Sequence, residues 1–258
     1  MKNLLCGKEI VKSFGEGSEK TRVLNQVSLE VERGEYLSVM GPSGSGKSTL
    51  LYALSGMDII DSGSVSLDGL ELSGLEDEEL SDLRRRKMGF VFQQPALLRN
   101  LNILDNIILP MMRDNRKQVG TLVQKAKTLM RLSGIEGLEE REITQMSGGQ
   151  LQRAGICRAL MADPDIIFGD EPTGALNSKA AQEILDLFDQ IQKAGTAILL
   201  VTHDVQVAAR TNRVLFMQDG RIVSELRFQK EKVWIIRHVQ SKSWCRCEEL
   251  EYKNSTFY

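Results

Sequence analysis

The sequence predicts an α/β fold with a mostly parallel sheet that is covered on both faces. Strand patterns alternate with helical patterns along the 258 residues, which is typical of parallel sheets with crossover helices. A block of helical periodicity, residues 101–164, interrupts this alternation and has strand patterns on both sides. We interpret the block as a helical subdomain, about residues 95–164, inserted into the α/β core.

The composition is that of an ordinary globular protein. Hydrophobic residues make up 41% and charged residues 26% of the chain, a balance that disfavours intrinsic disorder. Lys and Arg number 33 against 35 Asp and Glu, so a net charge of -2 provides no general attraction for nucleic acid. No run approaches the roughly 20 apolar residues that cross a bilayer, and the first residues lack a signal peptide. We therefore expect a cytoplasmic chain whose membrane crossing, if it has one, belongs to a partner.

The first half of the chain contains three strand patterns and two helical ones. Residues 27–31 alternate between apolar and polar side chains, and residues 36–40 form a short apolar run. Residues 47–56 predict a helix, and residues 64–67 a strand that ends in an Asp-Gly turn. The segment 76–87 places acids before bases, as suits a helix macrodipole, and we interpret its three consecutive arginines as a solvated helix end.

The second half continues the alternation. Residues 119–130 follow the helical template and Gly134 fits the cap after them, while residues 184–191 form another helical face that Gly195 closes. Further strands are predicted at residues 165–168, 196–201 and 213–218, the last opening a hairpin.

A glycine-rich motif follows the strand pattern of residues 36–40 and precedes a predicted helix. It fits G-x4-G-K-[ST] and comprises Gly41, Pro42, Ser43, Gly44, Ser45, Gly46, Lys47, Ser48 and Thr49. Glycines permit turns that aim backbone N–H groups inward, and the helix start adds its positive end. Lys47 would contact the β- and γ-phosphates, and the Ser48 hydroxyl is a ligand for Mg²⁺. The motif therefore predicts a site for ATP and Mg²⁺.

Two carboxylates, Asp170 and Glu171, follow the strand pattern that begins at residue 165. The carboxyl end of a strand is where α/β sheets place their ligands. Asp170 would hold Mg²⁺ directly or through water, and Glu171 would act as the general base for an attacking water. Adjacent acids alone are equally consistent with a surface turn, but with the phosphate motif they predict a hydrolytic site.

A second motif resembles the L-S-G-G-Q signature of ABC ATPases. It comprises Met146, Ser147, Gly148, Gly149 and Gln150. Ser147 followed by two glycines is also typical of a helix N-cap, and the two interpretations are compatible. The resemblance implies that this helix start faces the γ-phosphate bound by a partner subunit, a task suited to a helix N-terminus.

Three further residues match the family pattern. Gln93 resembles the glutamine that contacts Mg²⁺ and the lytic water, and His203 resembles the switch histidine that contacts the γ-phosphate. Phe14 lies where ABC proteins place an aromatic ring against adenine. The resemblance thus implies a P-loop NTPase (RecA-like) core, an antiparallel β subdomain and the inserted helical subdomain, together forming an ABC ATPase domain over residues 1–227.

The resemblance also implies partners. The chain would work as a homodimer that sandwiches ATP, lie on the inner face of the cell membrane and drive an integral-membrane permease, with no nucleic-acid partner. The surface around residues 93–106 would transmit the motion to that permease. The matching branch powers macrolide efflux, lipoprotein release and antimicrobial-peptide resistance, and the GALN sequence of residues 174–177 resembles the antimicrobial-peptide group most.

The chain departs from the family pattern at three places. Met146 replaces a leucine of similar volume, a mild change. Asn177 replaces an aspartate in the loop that couples the two ATP sites, so it serves either as a helix cap alone or with altered coupling. The tail 228–258 resembles nothing in the family and is an accessory segment, an amphipathic membrane-surface patch or a non-native extension. Its Cys245 and Cys247 lack typical zinc-site spacing, so we expect free thiols.

Two alternative functions remain. A soluble ABC ATPase of DNA repair or translation would typically carry coiled-coil or zinc insertions or a second cassette, and the sequence has none of these. A regulator that binds ATP without hydrolysing it would not need Glu171 and His203, both of which are present.

Overall fold

A computed structural model describes residues 3–15, 17, 20–114 and 118–228 of the chain. The strands are β1 (Asn3–Phe14), β2 (Thr21–Glu32), β3 (Tyr36–Met40), β4 (Ser62–Leu67), β5 (Leu70–Glu71), β6 (Met88–Phe92), β7 (Ile166–Asp170), β8 (Ala197–Thr202), β9 (Arg213–Gln218) and β10 (Arg221–Arg227). The helices are α1 (Lys47–Leu54), α2 (Asp77–Lys87), α3 (Ile103–Ile108), α4 (Val119–Leu132), α5 (Gly148–Leu160), α6 (Ser178–Lys193) and α7 (Val205–Ala208).

The large sheet has six strands in the order β10-β9-β3-β8-β7-β6. All neighbours from β9 to β6 pair in parallel, and only the hairpin strand β10 is antiparallel. The predicted α/β fold with a mostly parallel sheet is therefore confirmed. The strand β3 lies centrally and is buried along its whole length, as expected for a short apolar run.

A second, antiparallel sheet of four strands has the order β2-β1-β4-β5. The predicted strand at residues 27–31 is part of β2, with Val27, Leu29 and Val31 buried on one face. The strand β1 was not predicted because its alternation breaks in the middle. Its register slips between Gly7 and Ile10, where Glu9 takes a positive φ of 48°, and such a bulge reverses which side chains face the core.

The large sheet lies between two apolar layers. One face packs against α1 and the small sheet, and its buried residues include Leu50, Leu51 and Phe168. The other face packs against α5 and α6, with Ile184 and Phe188 in that core. The helices α1 and α6 were predicted from their apolar periodicity, whereas the start of α5 was predicted from the N-cap pattern at Ser147.

The helices α3, α4 and α5 share a separate apolar core within the predicted helical block. Its buried members include Ile107, Ala126, Met130 and Cys157. Gly134 follows α4 with φ of 70°, as the sequence predicts for a C-terminal cap. The limits of the ATPase domain at residues 1–227 stay a prediction.

The arginine run forms the last turn of α2, as the sequence predicts, but it is only partly solvated. Arg84 donates to the Gly56 carbonyl at 2.6 Å. Arg85 pairs with Asp82 at 2.9 Å and with Asp114, and the hydrogen bond that it donates to Asp82 is the main cause that raises the pKa of Arg85. Of the three arginines, Arg86 alone is mostly exposed. The charge run instead ties α2 to the segment that follows α3.

The tail interpretation lies largely outside the described residues. Phe228 donates its backbone N–H to Asn212 at 3.0 Å, and residues 229–258, with Cys245 and Cys247, are not described. In the described ranges Cys6 and Cys157 are free thiols. Within the same ranges, no helix combines the length and the apolar character needed to traverse a bilayer.

Candidate functional site

Four parallel strands of the large sheet end at the same level. The register aligns Met40 with Thr202 and Asp170 with both Val201 and Phe92. The residues that follow these strand ends are the phosphate motif, His203, Glu171 and Gln93. The sheet therefore gathers at one edge the residues that the sequence analysis selected from four separate segments.

The phosphate motif forms a tight loop between β3 and α1. Gly41 has no room for a side chain, since a Cβ there would lie 2.1 Å from the Met217 carbonyl oxygen. Gly46 precedes α1 with φ of 100°, a left-handed conformation that favours glycine. Pro42, Ser43 and Gly44 are exposed at the tip of the loop. The loop thus stands on the sheet edge with its tip accessible to a ligand, ahead of the positive end of α1.

Two polar groups inside the loop fit a phosphate ligand. The Lys47 ammonium donates to the carbonyls of Gly41 and Pro42, each at 2.9 Å, so it folds back over the loop. The buried Ser45 hydroxyl has no hydrogen-bond partner among the described residues. Burial lowers the pKa of Lys47, whereas the carboxylates of Glu171 and Asp170 oppose that shift. A nucleotide phosphate would supply acceptors to both groups.

Asp170 lies beside the start of α1. Ser48 donates its hydroxyl to Asp170 Oδ1 at 2.9 Å, and Tyr52 donates to Oδ2 at 2.8 Å. Hydroxyl and carboxylate oxygens form the donor set that Mg²⁺ prefers, so Ser48 and Asp170 fit a magnesium site. Thr49 follows in the first turn of α1 and is half-buried.

Glu171 contacts His203 directly. Its Oε1 lies 2.7 Å from Nδ1 of His203, and the side chains are 22% and 67% exposed, respectively. Glu171 has a positive φ of 47°, and its backbone N–H donates to Val201 at 3.0 Å, which continues the sheet one residue past β7. A non-glycine residue in this region is uncommon, and such strain concentrates at functional sites.

Gln93 reaches the turn that follows Glu171. A Cβ at Gly174 would lie 3.0 Å from Nε2 of Gln93, so the amide packs directly on that glycine. Gly174 is also the donor of a turn hydrogen bond to the Glu171 carbonyl at 3.0 Å. The structure therefore brings Gln93 to the same turn as the predicted base.

Phe14 lies at the end of β1 and is 46% exposed. Lys12 places its ammonium 4.9 Å from the centroid of the Phe14 ring. The ring is thus an accessible apolar platform with a cation on one face.

Ser147 caps α5 at the surface of the helical block. Its Oγ accepts from the Gln150 N–H at 3.3 Å, and Gln150 Oε1 accepts from the Ser147 N–H at 2.9 Å. This reciprocal pair is a capping box, so the N-cap interpretation is confirmed. Gly149 packs near Ala180 at the start of α6, which Asn177 caps through a 2.9 Å bond to the Ala180 N–H.

The sequence analysis missed two side chains of the site, Lys12 and Tyr52. Tyr52 lies four residues after Ser48 on a predicted helix, a spacing that places both on one face and was available as a signal. Lys12 belongs to β1, the strand that was not predicted, so its neighbourhood with Phe14 had no local signal.

Comparison with known proteins identifies the family to which the chain belongs. The profile described as ABC transporter matches residues 24–174. The chain therefore belongs to the ABC transporter family, as one of its ATP-binding ATPase cassettes, and the family resemblance of its motifs is confirmed.

Two of the relatives are named for export. Bacitracin export ATP-binding protein BceA of Halalkalibacterium halodurans is 40% identical over 226 residues, which cover 86% of this chain and 88% of that protein. Macrolide export ATP-binding/permease protein MacB of Mannheimia succiniciproducens is 39% identical over 244 residues, 95% of this chain and 38% of that protein. The chain thus spans little more than a third of the length of its MacB relatives.

A solved structure shares the fold. The ATP-binding cassette MJ0796, in a dimeric post-hydrolysis state bound to ADP and Pi, superimposes with a TM-score of 0.79 at 34% identity, covering 88% of this chain and all of the other.

Proposed function

We propose that this chain hydrolyses ATP in a head-to-tail homodimer and thereby drives an export permease at the inner face of the cell membrane. The observation that carries the proposal is the Glu171–His203 pair, 2.7 Å apart, at the aligned strand ends beside the phosphate loop. A carboxylate next to a phosphate site, in contact with an exposed imidazole, can serve as the general base for an attacking water.

In this proposal the loop of residues 41–49 holds the nucleotide phosphates through backbone N–H groups. The Lys47 ammonium leaves the loop carbonyls for the β- and γ-phosphates, and Ser45 gains an acceptor. Bound Mg²⁺, held by Ser48 and Asp170 with Gln93 nearby, would neutralise charge that develops on the phosphates. Phe14 stacks on the adenine.

Glu171 is the proposed general base. Its carboxylate accepts a proton from the water that attacks the γ-phosphate. His203 contacts this carboxylate and lies at the exposed side of the pair, where it would contact the γ-phosphate. Gln93 orients the same water from the turn at Gly174. Ser147 to Gln150 of each copy would contact the γ-phosphate of the other, because the Ser147 hydroxyl accepts within its own helix and still has a hydrogen to donate.

A groove beside this site is the proposed docking surface for the permease. It measures about 320 Å³ and is lined, among others, by Met57, Arg84, Met88, Phe90, Phe92 and Arg158. It adjoins residues 93–106, since Arg158 donates to the Ala96 carbonyl. Burial lowers the pKa of Arg158, and no carboxylate of the described residues pairs with it. A cytoplasmic permease segment with apolar residues and a carboxylate would complement this groove.

The transported substrate is proposed from the relatives. BceA and MacB are named for bacitracin and macrolide export. The match to BceA extends over most of both chains, and the motif of residues 174–177 points the same way, so we propose an antimicrobial peptide as the cargo.

Substitution of the base tests the ATPase proposal. Glu171→Gln keeps a hydrogen-bonding side chain but cannot take a proton, so we expect ATP binding to persist and phosphate release to fall at least about 100-fold. Dimers should then accumulate with ATP in size-exclusion chromatography. Glu78→Gln, which changes a carboxylate that is 79% exposed on α2, is the matched control. Normal turnover by Glu171→Gln would refute the assignment.

Charge removal in the groove tests the docking proposal. With a co-expressed permease subunit, Arg158→Gln should reduce co-purification while ATP binding by the isolated chain stays unchanged. Arg131→Gln, an exposed arginine in the last turn of α4, serves as the control. Equal recovery of the permease with both variants would show that the groove does not hold it.

A further inference from the structure

Lys12 and Phe14 are two residues apart near the end of β1, where the pairing with β2 is irregular, and their side chains are in contact. The Lys12 ammonium lies 4.9 Å from the Phe14 ring centroid, within the about 6 Å range of cation–π attraction. Since Phe14 is 46% exposed, the cation covers one side of the ring and leaves much of it accessible.

The same ammonium is fixed by two oxygens beyond the strand. It donates to Asp58 Oδ1 at 2.8 Å and to the Ile59 carbonyl at 2.6 Å, and the Lys12 side chain is only 12% exposed. A largely buried ammonium with two good acceptors is held in place far better than an exposed lysine.

The oxygens belong to the segment that connects α1 to strand β4 of the small sheet. Asp58 donates its backbone N–H to Tyr52 at 3.1 Å, and Tyr52 is in α1, the helix that begins at Lys47. Lys12 therefore links the aromatic platform to the helix that carries the phosphate loop.

The contacts of Lys12 with residues 58–59 lie where β1 loses its pairing with β4. The pairing of β1 with β4 ends at Val11 and Ser62, whereas pairing with β2 continues to Phe14 and Thr21. Past Val11 the end of β1 has a strand on one side only, and Lys12 reaches out to residues 58–59. Lys12 therefore joins the end of β1 to residues 58–59 at the point where β4 no longer pairs with it.

We propose that Lys12 is a positioning residue for the adenine base, which deepens and rests on the proposed role of Phe14. Its fixed ammonium holds the ring at a set distance from the phosphate loop. The cation also draws π-electron density toward itself, which makes the opposite face of the ring a better stacking partner for the electron-rich adenine.

Binding of ligands with and without the base tests this proposal. We would measure the binding of MgADP and of magnesium pyrophosphate to the full chain by titration calorimetry. The use of MgADP in place of MgATP avoids hydrolysis. Lys12→Met removes the cation at similar length and should weaken MgADP binding about three- to tenfold, with pyrophosphate binding unchanged. Lys12→Arg keeps a cation above the ring and should restore MgADP binding to within about twofold.

Control variants distinguish the proposed role of Lys12 from that of Phe14, on which it rests. Lys8→Met changes an exposed lysine on the same strand and should alter neither affinity. Phe14→Ala should weaken the binding of MgADP but not that of magnesium pyrophosphate. If MgADP binding is unchanged, the proposed role of Phe14 in holding adenine is refuted. If Phe14→Ala weakens MgADP but Lys12→Met does not, or if Lys12→Met weakens both ligands equally, the role of Lys12 is refuted while that of Phe14 stands.

Discussion

The Asp170 carboxylate accepts a hydroxyl hydrogen bond on each of its oxygens. Ser48 donates to Oδ1 and Tyr52 to Oδ2, at 2.9 and 2.8 Å. Burial, followed by the hydrogen bond to Asp170, raises the pKa of Tyr52 to about 12, so the phenol stays protonated and keeps donating at neutral pH. A carboxylate held on both sides cannot rotate freely, and such outer contacts orient the groups that bind a metal.

Loss of the Tyr52 hydroxyl should change the response of the protein to Mg²⁺. Tyr52→Phe removes the donor to Oδ2 and keeps the ring, so Asp170 should lose its fixed orientation. We expect the Mg²⁺ concentration for half-maximal ATP hydrolysis to rise about tenfold, with a smaller change at saturating Mg²⁺. The measurement is a Mg²⁺ titration of phosphate release at constant ATP.

Tyr36 provides the control for this substitution. Its hydroxyl is buried and has no hydrogen-bond partner among the described residues, and it lies in the core on the α6 face of the sheet. Tyr36→Phe should leave the Mg²⁺ dependence unchanged and, because an unsatisfied hydroxyl is removed, should not lower the unfolding temperature. An unaltered Mg²⁺ dependence in Tyr52→Phe would mean that Ser48 alone orients Asp170.

At the level of elements, the register of the parallel strands decides the site. Apolar runs predicted β3, β7 and β8 to within two residues. The phosphate motif and the Asp170–Glu171 pair that follow β3 and β7 were recognised as the candidate site, whereas His203 after β8 was identified only from the family resemblance. Because parallel strands place their carboxyl ends on one edge, a site shared by the motif and the carboxylate pair followed from the pattern. The order of strands did not, since no local signal states that β3 lies between β9 and β8.

The strands β1 and β6 were not predicted, and each omission has a physical cause. The bulge at Glu9 interrupts the alternation of β1, so a window of period two finds only fragments of a strand. The strand β6 follows α2 directly at Met88, without a turn residue to mark the boundary. Lys12, on β1, was missed as a consequence, whereas Gln93, just after β6, was found only through the family pattern.

The capping box at Ser147 makes one substitution particularly informative. Aspartate is as good an N-cap as serine, so Ser147→Asp should keep α5 intact, whereas alanine would cost about 1 kcal/mol of stability. The new carboxylate would, however, face a bound γ-phosphate and repel it. Ser147→Asp therefore separates the structural role of this helix start from its proposed contact with nucleotide.

In the whole molecule, one chain carries both parts of the proposed ATP site, but one part lies on the large sheet and the other on the helical block. Lys47 and Glu171 stand on the edge of the large sheet, while Ser147 caps a helix of the block with its own core. The α/β pattern indicates that the residues of the sheet edge lie near one another, but it does not predict their side-chain contacts, such as the 2.7 Å contact between Glu171 and His203. Completion by a second copy was predicted only through the family resemblance, because a sequence pattern is identical in both subunits of a homodimer.

Mixing two inactive variants tests this completion. Lys47→Ala should abolish phosphate binding, and Ser147→Asp should prevent closure, so each variant alone should show almost no hydrolysis. In a head-to-tail heterodimer, one site combines both defects and the other combines an intact Lys47 with an intact Ser147 of the second copy. An equal mixture that exchanges subunits at random should therefore regain about a quarter of the wild-type phosphate release. If each chain instead completed its own site, every site in the mixture would carry a defect, and no activity would return.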